Sequence, residues 1–380
     1  MLENYRSPWM NEDLEQFSDM VQRFAKEYME PNELHWREQH YADRSAWLKA
    51  GELGLILPDV SEEYGGAGGS IAHYACVVQT MSAFGGGLGI GLSHIVAHYI
   101  LESGTEAQKK HWLPKIGSGE VICAIAMTEP GAGSDLQSVR TRAVKEGDHY
   151  VINGAKTFIS NGQTCDMVLV IAKTDISQGA KGVSLFMVDT TTPGFRRGKL
   201  LSKVGMHAQD TSEMFFDDVK VSADCLLGEV EGRGFYTLMS QLPYERAQIG
   251  VGAVAVMERA LRLTVEYTKD RKAFGKPVID FQNSRFVLAD VKATVLAAKT
   301  FVDLIVQRWI DGTLDTTLAS MGKFWLTERQ GEVLDRCLQL FGGYGYMNEY
   351  PIGRMWADAR VARIYGGSNE IQREVVARSL

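Results

Sequence analysis

Thr128-Glu129-Pro130-Gly131-Ala132-Gly133-Ser134-Asp135 divides the chain into parts of different character. Before it, apolar residues recur at helical spacing. After it come short runs of strand length, and from about Gly234 the helical spacing returns. The stretch itself is polar: Pro130 fixes one backbone angle, while Gly131 and Gly133 permit turns and close approach. Thr128, Ser134 and Asp135 add hydroxyl and carboxylate groups beside free backbone N–H groups. Such a loop at a domain junction suits either a bound cofactor or anion, or a plain connector.

Working outward, Leu14, Phe17, Val21, Phe24 and Tyr28 space one amphipathic helix, and Trp47 to Leu57 predicts a second, ended near Pro58. Helices are expected over Ile71–Phe84 and Ile90–Glu102, and the Thr105/Gln108 capping box starts another that closes near Pro114. Beyond the dividing loop, Tyr150-Val151-Ile152, Asn153-Gly154 and Lys156 to Ser160 read as a hairpin. Val121–Met127, Met167–Ala172, Val183–Val188 and Glu213–Val221 read as further strands. Phe235–Lys269, Ser284–Ile310 and Leu318–Leu340 are long helices whose apolar stripes are buried most simply in an antiparallel bundle. The fold class is therefore α+β and multidomain: helical over 1–120, β over 121–232, and a helical bundle over 233–380.

With 380 residues, two or three domains are expected, and the net charge of −7 gives no basic footprint for nucleic acid. No apolar run reaches the roughly 18 residues of a membrane span. The opening Met1-Leu2-Glu3-Asn4-Tyr5 has no targeting pattern, so a cytoplasmic chain is expected, or the mature form of a processed, mitochondrial-matrix one. Cys76, Cys123, Cys165, Cys225 and Cys337 show no C-x-x-C spacing, so buried thiols are expected rather than zinc or disulfides. His94 and His98 could share a helix face, but no Glu completes H-E-x-x-H and no metal is expected. No G-x-G-x-x-G follows a strand, so a Rossmann unit is not expected, and Gly85 to Gly91 should serve close helix packing.

Five blocks, in order along nearly the whole chain, carry a resemblance. They are Ala126 to Asp135; Asn153-Gly154-x-Lys156-x-Phe158-Ile159-Ser160-Asn161-Gly162; Arg271 to Lys276; Gln339 to Gly345; and Ile364-Tyr365-Gly366-Gly367-Ser368-Asn369-Glu370-Ile371. Together they resemble the acyl-CoA dehydrogenases. The resemblance implies an N-terminal helical domain, a middle β-barrel-like domain and a C-terminal four-helix bundle, with FAD extended between the last two. It assigns FAD contacts to Met127, Thr128, Gly133, Ser134, Phe158, Ile159 and Ser160. Further contacts fall on Arg271, Phe274, Gln282, Gln339, Leu340, Gly342 and Gly343, part of this set serving a neighbouring subunit, and on Ser368, Asn369 and Glu370. It also implies a homo-oligomer, usually a tetramer, and electron-transfer flavoprotein as the electron acceptor.

Most of the family places a catalytic glutamate directly after the Tyr of the last block, where this chain has Gly366. The long-chain and isovaleryl branches carry the base on a bundle helix instead, at the position of Glu245 in Leu242-Pro243-Tyr244-Glu245-Arg246. Glycine at one position and glutamate at the other make the most specific signal in the sequence. The resemblance then gives Glu245 the α-proton of an acyl-CoA thioester, with the β-hydrogen leaving as hydride. The backbone N–H of Gly366 would donate to the thioester carbonyl. Ser134, Tyr236, Pro243, Arg246, Gly366 and Gly367 match substrate-binding positions. Likeness to the long-chain branch in Tyr346 to Ile352 and Ala208 to Thr211 favours medium to long straight chains. The alternatives are a branched or terpenoid acyl group, an oxygen-using oxidase or hydroxylase of the same fold, and a non-catalytic helical assembly.

Overall fold

A computed structural model describes residues 5–85 and 87–380; Met1 to Asn4 of the polar N-terminus and Gly86 of the glycine run lie outside them. The chain opens with helices α1 (Glu12–Phe24), α2 (Glu33–Gln39), α3 (Arg44–Glu52), α4 (Ile71–Phe84), α5 (Ile90–Ser103) and α6 (Glu106–Gly117). Leu14, Val21 and Phe24 form the buried face of α1, as their spacing requires, and Asn11 caps its first turn. The Thr105/Gln108 capping box is present.

One helix and two helix ends differ from the sequence expectation. Helix α2 lacked a long enough periodic run to be seen. Helix α3 ends at Glu52 rather than Leu57, because Gly54 turns left-handed (φ 68°) and Leu55 to Leu57 continue as buried, non-helical chain. Helix α6 passes through Pro114 to Gly117. A proline removes one N–H bond, and here buried Leu113 and Ile116 on either side hold the turn in place.

The middle of the chain forms a mixed sheet from β1 (Cys123–Ala126), β2 (Arg142–Glu146), β3 (His149–Ser160), β4 (Met167–Lys173), β5 (Val183–Asp189), β6 (Phe195–Leu200) and β7 (Thr211–Ser222). Strand order is β1-β4-β2-β3-β7-β6, with β5 also on β4. Every residue of β4 is buried, matching its unbroken apolar run.

The hairpin expected at Asn153-Gly154 does not exist. Both residues lie inside continuous β3, at a register shift against β7, and the turn is at Gly147-Asp148 instead. Asn153 is engaged across the strands, where its amide donates to Asp218 Oδ1 at 2.9 Å and accepts from Asp218 N at 2.9 Å. A Cβ on Gly154 would meet Thr141 Oγ1 at 2.3 Å. The dipeptide marks a bulge and a close backbone approach, which use the same residue types as a turn.

Helices then return as α7 (Gly234–Asp270), α8 (Gln282–Ile310), α9 (Thr316–Phe341), α10 (Pro351–Ala359) and α11 (Asn369–Ala377), with a short hairpin of β8 (Lys272–Ala273) and β9 (Lys276–Pro277) after α7. Val251, Val254 and Leu261 of α7 pack with Val291 and Val295 of α8 and Leu326 and Leu334 of α9. Tyr74 and Ala75 of α4 join this cluster, so α4 bridges the N-terminal helices to the bundle. Gly87 and Gly89 serve packing, though against the loops that follow β3 and β6: a Cβ on Gly87 would lie 2.8 Å from Ala208 C, and one on Gly89 2.7 Å from Asn161 Oδ1. The cysteines are free thiols, four of them buried. Among the described residues no helix is long and apolar enough to cross a membrane.

Candidate active site

The loop after β1 is fixed at its base and open at its tip. Lys156 of β3, 1% exposed, lies 2.9 Å from Glu129 Oε1 and donates to Met127 O at 3.1 Å. Glu129 also accepts from Arg140 N and Thr141 N, at 2.6 and 2.9 Å. Burial pushes the Lys156 ammonium down to about 8, although Glu129 opposes the shift. Thr157 N donates to Thr128 O at 2.9 Å, tying the loop to β3. At the tip, Gly131 and Gly133 have nothing within 4 Å of an added Cβ, and Ser134 is exposed.

Beside this loop, Phe158 holds a left-handed backbone (φ 59°) and is 67% exposed, whereas Ile159 is buried and Ser160 half-buried. A bulky residue at positive φ, presenting its ring to solvent, is uncommon and belongs with a surface that something else covers.

Glu245 stands on α7 and faces α5. Tyr99, fully buried, donates its hydroxyl to Glu245 Oε1 at 2.6 Å. Burial raises the Glu245 carboxyl, while Tyr99 and the Arg246 charge pull it back. Arg246, the next residue, turns the other way: it is 4% exposed, and its Nη1 donates to Ser320 of α9 at 3.1 Å. Pro243 is buried inside α7, and Tyr236 is 66% exposed with Arg233 over its ring.

Gly366 adopts a left-handed backbone (φ 65°), and a Cβ there would meet Ile249 Cδ1 at 2.5 Å. Ile249 is one turn beyond Glu245 on the same face of α7, so the two positions singled out in the sequence are neighbours in space. The carbonyls of Gly366 and Gly367 are held, with Gln372 Nε2 donating to both at 3.1 Å and Lys323 Nζ to Gly367 O at 2.8 Å. Among the described residues the Gly366 N–H has no acceptor. Ser368 caps α11 and Glu370 is exposed, but Asn369 is fully buried. Its side chain is committed to Lys323 Nζ at 2.9 Å and Thr327 Oγ1 at 3.0 Å.

The remaining expected residues gather elsewhere. Arg271 follows α7, Phe274 tips the β8–β9 hairpin at 96% exposure, and Gln282 opens α8. Gln339 and Leu340 end α9, with Gly342 and Gly343 just beyond and nothing within 4 Å of their added Cβ atoms. Arg271 stacks over Tyr344 at 5.9 Å. This set lies about six turns along α7 from Ile249, roughly 33 Å, so one chain does not bring it to Glu245.

Periodicity could not reveal the deep wall of the site. Around Glu245 the pocket is closed by Tyr74 of α4, His94, Ile95 and His98 of α5, Gln241, Tyr244 and Gln248 of α7, and Trp309 of α8. His94 and His98 do share a face, and their Nε2 atoms lie 2.9 and 3.0 Å from the two oxygens of buried Asp59. The three offer ligand-type atoms within 4.8 Å of one another, at distances that are those of hydrogen bonds.

Three family models cover the chain: acyl-CoA dehydrogenase N-terminal domain over residues 11–120, middle domain over 124–219 and C-terminal domain over 232–380. The chain is 44% identical to the mitochondrial long-chain specific acyl-CoA dehydrogenase of Sus scrofa over 369 residues, which is 96% of this chain and 85% of that protein. It is 34% identical to the mitochondrial isovaleryl-CoA dehydrogenase of Oryza sativa subsp. japonica, over 96% of this chain and 90% of that one. The crystal structure of an acyl-CoA dehydrogenase from Geobacillus kaustophilus superposes with a TM-score of 0.96 at 43% identity, covering 98% of this chain and 99% of that one.

Proposed function

This chain belongs to the acyl-CoA dehydrogenase family of flavoenzymes, and from that premise we propose that it desaturates a medium to long straight-chain acyl-CoA to the trans-2-enoyl-CoA, with Glu245 as base. As a member of that family it is an oxidoreductase of fatty-acid β-oxidation, which sets the non-catalytic reading aside.

The carrying observation is the pairing of Glu245 and Gly366 across one face of α7. A glutamate side chain at 366 would collide with Ile249, whereas Glu245 reaches the pocket from the helix itself. Burial makes its carboxylate more basic, as proton removal from a weakly acidic α-carbon requires. The N–H of Gly366, without an acceptor among the described residues, would donate to the thioester carbonyl as negative charge develops on it.

The open glycines at 131, 133, 342 and 343, with exposed Phe158 and Phe274, suit an extended FAD. Bound FAD would accept the β-hydrogen as hydride. Thr128, Gly133, Ser134, Phe158 and Ser160 would hold it in the chain that supplies Glu245, with Met127 and Ile159 as backbone support. The distant set of Arg271, Phe274, Gln282, Gln339, Leu340, Gly342 and Gly343 would serve a second copy, so the working form is a homo-oligomer, a tetramer by family likeness. Ser134 and Tyr236, both exposed, would meet the CoA portion. Arg246, turned to α9, would stiffen the helix beside the base. Electron-transfer flavoprotein is the proposed acceptor.

The test is an anaerobic absorbance titration of the yellow protein with acyl-CoAs of increasing length. Flavin bleaching that peaks with straight chains supports the proposal, and bleaching only with branched short chains overturns the substrate class. Glu245→Gln should keep its flavin and lose about 10²–10⁴-fold in kcat. Full activity in that variant removes Glu245 as base.

A further inference from the structure

The pocket around Glu245 is mainly apolar, and the few polar groups set in its wall include some with no partner. Trp309 is 2% exposed, and its Nε1–H has no acceptor among the described residues. Gln241, 7% exposed, carries no side-chain hydrogen bond among them either. His94 spends Nε2–H on Asp59 at 2.9 Å and lies flat on Tyr74, so in the neutral ring Nδ1 is an acceptor still unused. Tyr74 itself is engaged, donating to Gln248 Oε1 at 2.6 Å.

A plain alkyl chain satisfies none of these groups. A carboxylate would enter a pocket that already holds Glu245, with Asp59 behind it. A hydroxyl can accept from Trp309 or Gln241 and donate to His94, using one donor and two lone pairs.

The geometry points to a substrate whose acyl chain carries a hydroxyl on its distal part, received by Trp309, Gln241 and His94 while the α-carbon lies against Glu245. This rests on the dehydrogenase reading and narrows its substrate class. Buried polar groups discriminate strongly between a ligand that pairs them and one that leaves them unpaired.

The experiment measures affinity by calorimetry in the flavin-loaded Glu245→Gln protein, so that binding is read without turnover. The probes are ω-hydroxyacyl-CoAs of increasing length and the matching unsubstituted acyl-CoAs. At one chain length the hydroxylated ligand should bind at least about tenfold tighter. Trp309→Phe should bring that ratio towards one, and Gln241→Leu, a milder change, should lower it too. Equal affinities at every length would mean that only water meets these groups, and the inference falls. If unsubstituted chains bleach the wild-type flavin as well as hydroxylated ones do, the dehydrogenase reading stands and this inference fails. If the hydroxyl preference is present but no acyl-CoA bleaches the flavin, the pocket assignment stands and the reading fails.

Discussion

Tyr99 Oη lies 2.6 Å from Glu245 Oε1, a hydrogen bond from α5 to α7 that joins the N-terminal helices to the bundle at the proposed base. The phenol is fully buried and stabilises the ionised carboxylate, against the burial that raises it. The proposed base is therefore tuned by a residue from the N-terminal helices.

Replacing Tyr99 by Phe removes that donor and raises the Glu245 pKa further. The proposed base must be ionised to act, so the acidic limb of the kcat/KM profile should move to higher pH, with activity recovering at alkaline pH. A pH–rate profile checks this. A uniform loss at all pH values would mean that Tyr99 only supports packing.

Gly366 should not tolerate a side chain. Gly366→Ala places a Cβ at positive φ and against Ile249, and should cost about 1–3 kcal/mol of stability along with much of the activity. Ile249→Ala in the same chain removes the collision, and a double-mutant cycle in urea should show part of the loss returning. Simple additivity would place the strain elsewhere.

Lys156→Met breaks the buried pair with Glu129 and frees the base of the 128–135 loop. An unpaired buried carboxylate should cost about 3 kcal/mol, read as a lower urea midpoint, and the protein should lose flavin more readily on gel filtration. Wild-type flavin retention at reduced stability would show that the anchor serves folding alone.

Stability should fall on mild acidification. Burial pushes the His94 imidazole down to about 4, with the Asp59 carboxylate opposing. The unfolded chain therefore takes up this proton first: the contribution is complete above about pH 6.5 and lost as pH falls towards 4. Urea midpoints near pH 5 and pH 7.5 should differ, and His94→Gln, which keeps a donor for Asp59 but cannot titrate there, should flatten the difference. An unchanged slope in that variant would assign the effect to another group.

Much of the architecture was legible because it follows local rules. Ile71–Phe84 stands as a helix between its own start and stop signals, and β4 is buried because Met167 to Ala172 are apolar without a break. Where residue types serve two purposes, local rules failed. Asn153-Gly154 supplies a turn or a bulge with the same chemistry, and only the cross-strand pairing to Asp218 and the nearness of Thr141 chose the bulge. Leu55 to Leu57 are apolar enough for helix or buried loop, and Gly54 decided against helix.

The same division runs through the site. The sequence by itself determined the order helical, β, helical and the loop at Thr128 to Asp135, each written in residues adjacent along the chain, and family resemblance singled out glycine at 366 with glutamate at 245, each within its own short motif. Only the tertiary structure decided that Tyr99 holds Glu245, that Ile249 closes the space over Gly366, that Asn369 turns inward, and that His94, Gln241 and Trp309 close one pocket. Those contacts join residues tens to hundreds of positions apart, brought together by the packing of α5, α7, α8, α9 and α11. No pattern of spacing along a single helix or strand encodes which face of one element meets another.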